Sequence, residues 1–280
     1  MVRPVPVVPS SYLQAPAELP ADGARPVSEA LFEARDLSVS FGGIKAVRDV
    51  SFAVHAGEVF SIIGPNGAGK TTIFNLVSRF YETESGSMTF DGVEITNVPP
   101  HRTAQLGIAR TFQNTELFEH ETVLTNLLIA HHVHRRTNLV TDLLFLPGAR
   151  RQELDFRRRV EDVIDLLDLQ GYREQPIGGL PYGARKMVEI ARALCLEPKL
   201  LLLDEPSSGL NPEETEDLSF WIEDIVADLG ITVAMVEHDM NLVATVSNRV
   251  LAMADGAVLA TGDPTEIQNH PDVLRAYLGD

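Results

Sequence analysis

A single cysteine, Cys195, is all the thiol chemistry the 280 residues hold, so no internal disulfide can form. Long apolar runs are missing too. The longest, Val250 to Ala254, has five residues, whereas a bilayer-crossing helix needs roughly 20, so this chain is not expected to span a membrane. No apolar h-region follows the N-terminus to act as a secretion signal, and a reducing cytoplasm is the expected compartment. Basic charge is scarce: 23 Lys and Arg face 40 Asp and Glu, and the net charge of −17 repels nucleic acid and anionic lipid at long range. There is no solenoid-period repeat, no long coiled-coil insert and no N-K-x-D guanine-reading motif.

What remains is an ordinary globular composition, 44% hydrophobic and 22% charged, enough for one or two domains at about 150 residues each. Residues 1–30 carry six prolines among Ala, Val and Ser with no helical or strand period, and read as a disordered leader. From Leu31, alternation through Leu37, Val39 and Phe41, then Val47, Val50 and Phe52, predicts an antiparallel β lobe with a turn at Gly42-Gly43. Val59 to Ile63 reads as a short buried strand, followed by a glycine loop and a helix over Thr71 to Arg79. Residues from about 115 to 196 look helical, with apolar stripes through Leu124, Leu127 and Leu128 and through Val160, Val163, Ile164 and Leu167. Two apolar runs, Leu200 to Leu203 and Ile231 to Val236, flank a helix that Asn211 can cap and Pro212 can begin, the βαβ rhythm of a parallel sheet. Short strands around Val250 to Met253 and Val258 to Ala260 precede a last helix through Val273, Leu274 and Leu278.

Chemistry concentrates in a few places. Gly64-Pro65-Asn66-Gly67-Ala68-Gly69-Lys70-Thr71 fits G-x-x-x-x-G-K-[ST] between a strand and a helix, and the bare pattern arises by chance in roughly one such chain in a hundred. Its glycines let backbone N–H groups converge on phosphates. Lys70 reaches the β and γ phosphates, and Thr71 is a Mg²⁺ ligand with Thr72 beside it. Asp204 and Glu205 close the Leu200–Leu203 strand, where Asp204 can hold Mg²⁺ through water and Glu205 can act as general base on an attacking water. His238, two residues beyond the second apolar strand, is placed to donate to a γ-phosphate.

In this order and spacing the chain resembles the ATP-binding subunits of ATP-binding cassette (ABC) transporters from about Leu31 to its end. The resemblance implies a P-loop NTPase (ABC ATPase) fold: α/β, with a mixed core sheet, an antiparallel β lobe and a helical subdomain over about 115–196. It implies that Phe41 stacks on adenine, that Gln113 joins the two lobes and contributes to the catalytic and Mg²⁺ site, and that His238 is the switch histidine. It also implies ATP and Mg²⁺ as ligands, a second ATPase subunit, identical or not, paired head to tail, and membrane permease subunits docked near Gln113. A periplasmic or extracellular substrate-binding protein acts indirectly, no nucleic acid takes part, and the site of work is the cytoplasmic face of the membrane.

The family's signature L-S-G-G-Q is replaced by Leu180-Pro181-Tyr182-Gly183-Ala184. Pro181 supplies neither hydroxyl nor N–H, so Gly183 and the following helix N-terminus are left as the donors, with Arg185 or Lys186 expected to compensate electrostatically. Asn211 stands where the D-loop commonly has Asp, and is expected to serve as a helix cap. Leu180-x-Tyr182-Gly183, Gly209 to Pro212, Glu237 to Met240 and the ending Pro271 to Gly279 are similar to the branched-chain amino acid importer (LivG-like) type.

Two rival readings come from other classes. A soluble ABC ATPase acting on nucleic acid or ribosomes conflicts with the −17 charge, and a GTPase or small-molecule kinase leaves the signature-like segment unexplained. An importer subunit for another small polar substrate is the nearer alternative. His131, His132 and His134 with Arg135 and Arg136 read as a solvated helix end, because adjacent histidines point to different helix faces. The run Arg150, Arg151 and Arg157 to Arg159, interleaved with Glu153 and Asp155, reads as an exposed helix face.

Overall fold

The structure, a computed structural model, describes residues 30–111, 117–130 and 147–278, the side chains of 147–153 and 278 apart. The leader, Gln113 and the His131–Arg136 cluster lie outside the described residues. The described residues divide into two compact units, one of 117–130 and 147–198 and the other of 30–111 with 199–278.

The second unit holds both sheets. β1 (Ala30–Phe41) and β2 (Ile44–His55) form the expected hairpin, and β4 (Ser85–Phe90) and β5 (Val93–Glu94) extend it into an antiparallel sheet of order β2-β1-β4-β5. The larger sheet runs β10-β9-β3-β8-β7-β6. Its parallel members are β3 (Val59–Ile63), β6 (Ile108–Arg110), β7 (Leu200–Asp204), β8 (Thr232–Val236) and β9 (Arg249–Ala254), and β10 (Ala257–Gly262) pairs antiparallel at the edge. β3, β7 and β8 are buried at every position, which explains why they are mostly apolar along their whole length, whereas β1 alternates. One core of Phe32, Phe60, Phe74, Phe90, Leu202 and Val236, among others, is shared by both sheets and α1 (Lys70–Val77).

β7 and β8 run with Asp204 beside Val236, so the strand ends carrying Asp204-Glu205 and Glu237-His238 emerge side by side. β3 lies next to β8 in the same direction and delivers the glycine loop at that edge. Such an edge, outside the carboxyl ends of parallel strands, is where open α/β sheets gather ligands. Helix α2 (Pro100–Leu106) precedes β6, α6 (Pro212–Ala227) connects β7 to β8, and α7 (Met240–Val246), α8 (Pro264–Gln268) and α9 (Pro271–Leu278) complete the unit. Asn211 caps α6 in a full capping box with Glu214, and Pro212 opens it, as expected.

The other unit is helical: α3 (Val123–Ile129), α4 (Pro147–Leu166) and α5 (Tyr182–Leu194), with 3₁₀ turns at Gln170–Tyr172 and Ile177–Gly179. The stripe on α4 is buried as read, through Val160, Val163, Ile164 and Leu167. On α3 the pattern differs. Asn126 is fully buried while Leu128 is only half-buried, because the Asn126 amide accepts from Phe118 N–H at 2.8 Å and donates to the Phe118 and Thr122 carbonyls at 3.2 and 3.0 Å. Arg157 and Arg158 lie exposed on α4, with Arg158 3.8 Å from Asp155 and Arg159 paired with Glu197.

Candidate active site

The glycine loop bends sharply off β3 because two of its residues cannot carry a side chain. A Cβ on Gly64 would lie 2.2 Å from the Met253 carbonyl, and one on Gly69, at φ +96°, would lie 2.4 Å from the Ala46 carbonyl. Lys70 opens α1 and folds back over the loop, donating to the carbonyls of Gly64 at 2.6 Å and Pro65 at 3.1 Å. Burial lowers the pKa of its ammonium, while the carboxylates of Glu205 and Asp204 act in the opposite direction. Thr71 and Thr72 follow, both half-buried, while Asn66 and Gly67 are exposed at the loop tip.

Asp204 is held from one side only. Its Oδ2 accepts from Arg110 Nη2 at 2.7 Å, and Oδ1 is buried with no hydrogen-bond partner. Arg110, on β6, also donates from Nη1 to Asn75 Oδ1 at 2.7 Å and Ser78 Oγ at 3.0 Å, and lies over the Phe74 ring at 5.8 Å. Only 7% of the Arg110 side chain and 1% of the Asp204 side chain are exposed. An open, buried carboxylate oxygen on the edge that carries the threonines of the loop fits a hard cation that keeps several waters and substrate oxygens. Among the described residues no group of three or more His, Cys, Asp or Glu is placed to hold a metal ion.

Glu205 adopts φ +49°, a left-handed conformation uncommon for a residue with a side chain, and its N–H is tied to the Val236 carbonyl at 2.9 Å. His238, exposed, has Nδ1 3.7 Å from Glu237 Oε2. Phe41 is 43% exposed at the end of β1 and forms a T-shaped pair with Tyr81 at 5.0 Å between centroids, so it is not a core residue.

In the helical unit, Pro181 is the N-cap of α5, and Gly183 is buried at the helix's second position. Arg185 is tied back to the segment that precedes its helix. Its Nε donates to the Leu180 carbonyl at 3.1 Å and its Nη2 to Gly178 at 2.9 Å, while Lys186 is buried. Cys195 is buried too, its thiol pushed up to about 12, and so inert as a nucleophile.

Three residues of this region escaped sequence reasoning: Arg110, Glu237 and Tyr277. Burial raises the Tyr277 phenol, opposed by a hydrogen bond with the Gly64 backbone, which brings the C-terminal helix to the first residue of the loop. Arg110 and Glu237 sit beside motif residues in sequence, but their partners are dozens of positions away.

Residues 47–208 match the family model described as ABC transporter, and residues 257–280 match the one described as branched-chain amino acid ATP-binding cassette transporter. The chain is 41% identical over 254 residues to the high-affinity branched-chain amino acid transport ATP-binding protein BraF of Pseudomonas aeruginosa, covering 91% of this chain and 100% of that protein. It is 39% identical, with the same coverage, to the LivG protein of the same description from Salmonella typhimurium. Among solved structures, the ADP conformation of MJ1267, an ATP-binding cassette of an ABC transporter, superposes with a TM-score of 0.79 at 29% identity, covering 90% of this chain and all of that one.

Proposed function

This chain belongs to the ABC transporter ATP-binding family, and from that membership we propose that it energises uptake of branched-chain amino acids through separate permease subunits. The observation that carries the cargo assignment is the match of residues 257–280, which lie outside the nucleotide-handling loops, to the branched-chain amino acid family model. It agrees with full-length relatives that are themselves branched-chain amino acid transport proteins. Among the described residues no helix is long and apolar enough to cross a membrane, so in this reading translocation falls to the permeases, with this chain docked peripherally on their cytoplasmic side.

As an ATPase of this family the chain binds nucleotide, and the site residues divide the work as follows. Phe41 stacks on adenine. The backbone of Gly64 to Gly69 and Lys70 take the phosphate charge, Lys70 exchanging its bonds to the Gly64 and Pro65 carbonyls for phosphate oxygens. Thr71 and, through water, the open oxygen of Asp204 would hold Mg²⁺ together with Gln113, which lies outside the described residues. Mg²⁺, when bound, supplies Lewis-acid neutralisation of charge on the β and γ phosphates. Glu205, its backbone pinned to β8, takes a proton from the attacking water, and His238 donates to the γ-phosphate. A second ATPase subunit presents its Gly183 helix N-terminus to complete each site, and closure of the pair drives the permeases.

Glu205→Gln is expected to lower ATP turnover by about 100-fold or more while leaving nucleotide binding intact. Deleting the gene should abolish ATP-dependent uptake of labelled leucine, isoleucine and valine. Full turnover by the variant would overturn the base assignment, and unchanged uptake would overturn the cargo.

A further inference from the structure

Glu237 is fully buried, and its carboxylate gathers three backbone N–H groups from two loops. Oε1 accepts from Ser207 at 2.8 Å, in the turn that follows Glu205; Oε2 accepts from His238 at 2.8 Å and Asp239 at 3.1 Å. Glu237's own N–H donates to Ile62 on β3 at 3.2 Å, anchoring it to the strand that delivers the phosphate loop. Among the described residues its only ion-pair contact is the His238 imidazole, 3.7 Å away. The β7–β8 ladder ends at Asp204 beside Val236. Beyond that point the two strands part, and the N–H groups of 207, 238 and 239 would be orphaned next to the site. One ionised side chain takes all three, through charge-assisted bonds stronger than neutral ones.

We propose that Glu237 is a positioning residue of the hydrolytic site: its carboxylate locks the loop carrying Glu205 to the loop carrying His238, so that the two side chains meet the γ-phosphate as one unit. The proposal rests on the roles given above to Glu205 and His238. A glutamine of the same shape cannot replace the carboxylate, since its NH₂ group would face a backbone donor whichever way the amide turned. The result is a misplaced pair of side chains with the phosphate loop untouched.

The test is a kinetic cycle on the full chain with wild type, Glu237→Gln, His238→Ala, the double variant and Glu205→Gln. Glu237→Gln should lower kcat by about 10–100-fold with the KM for MgATP within about threefold, and should add less than about twofold to His238→Ala. A kcat within twofold of wild type, or multiplicative effects in the double variant, would overturn the proposal provided Glu205→Gln and His238→Ala are both defective. If those two turn over normally, the underlying site assignment has failed instead. A measurement on the wild-type chain covers the case of a variant that does not fold. Amide exchange at Ser207, His238 and Asp239 should show protection factors within about threefold of one another, as for groups released by one opening event. Exchange at Ser207 more than about tenfold faster than at the other two would refute the lock.

Discussion

The phosphate loop and the signature segment are both glycine-bearing turns that end at a helix N-terminus, yet they are shaped by opposite means. In the first, shape comes from what glycine lacks: the carbonyls of Met253 and Ala46 occupy the space where Cβ atoms of Gly64 and Gly69 would sit. In the second, shape comes from what other residues add: Pro181 sets an extended N-cap, and the Arg185 guanidinium ties down the carbonyls of Gly178 and Leu180. A turn defined by steric exclusion accepts few substitutions. A turn held by one half-buried side chain is open to replacement, which is consistent with a departure from the family pattern in the signature and none in the loop.

The comparison is broken most severely on the phosphate side. Lys70→Ala is expected to weaken ATP binding by about 100-fold or more, measured with a fluorescent nucleotide, because the cation proposed to take the phosphate charge is lost. Arg110→Met leaves the buried Asp204 carboxylate without its cation; the expected loss is about 3–5 kcal/mol, read as a fall of about 10 °C in melting temperature.

On the signature side the effects are smaller. Glu189, buried on α5, has its carboxyl raised to about 7 by desolvation, against the pull of Lys186 and Arg192. Because the folded state holds this proton more tightly than the unfolded chain, stability falls as pH rises from about 4.5 to about 7 and stays low above that. Glu189→Gln should therefore gain about 1–2 kcal/mol over wild type at pH 8 and close to nothing at pH 4.5, by urea midpoints at the two values. Arg185→Ala should lower kcat/KM by only about two- to fivefold, the worth of about 0.5–1 kcal/mol in hydrogen bonds to a partly exposed loop. A fall as large as that of Lys70→Ala would erase the distinction between the two turns.

Much of the fold was legible in the residues. The strand read at Val59 to Ile63 has those bounds, the hairpin turns at Gly42-Gly43, and Asn211 and Pro212 begin α6 as their chemistry dictates. Each of these is a local signal: a short, mostly apolar run ending at a glycine, a pair of glycines, a cap followed by proline. Asn126 was illegible for the reverse reason. A polar residue inside an apolar stripe reads as an interruption until its hydrogen bonds to Phe118 and Thr122 are seen. The left-handed backbone of Glu205 likewise leaves no trace in residue type, since it is fixed by the bond to Val236 from the neighbouring strand.

By itself the sequence determined the glycine loop, the strand before it and the helix after it, because these follow from sterics and periodicity over a few consecutive residues. Tertiary structure alone decided that Asp204 would be gripped by Arg110 and that Glu237 would bind Ser207, residues 94 and 30 positions apart. A buried carboxylate must find donors wherever the fold brings them, and which donors arrive is a property of packed strands that no single stretch of chain contains.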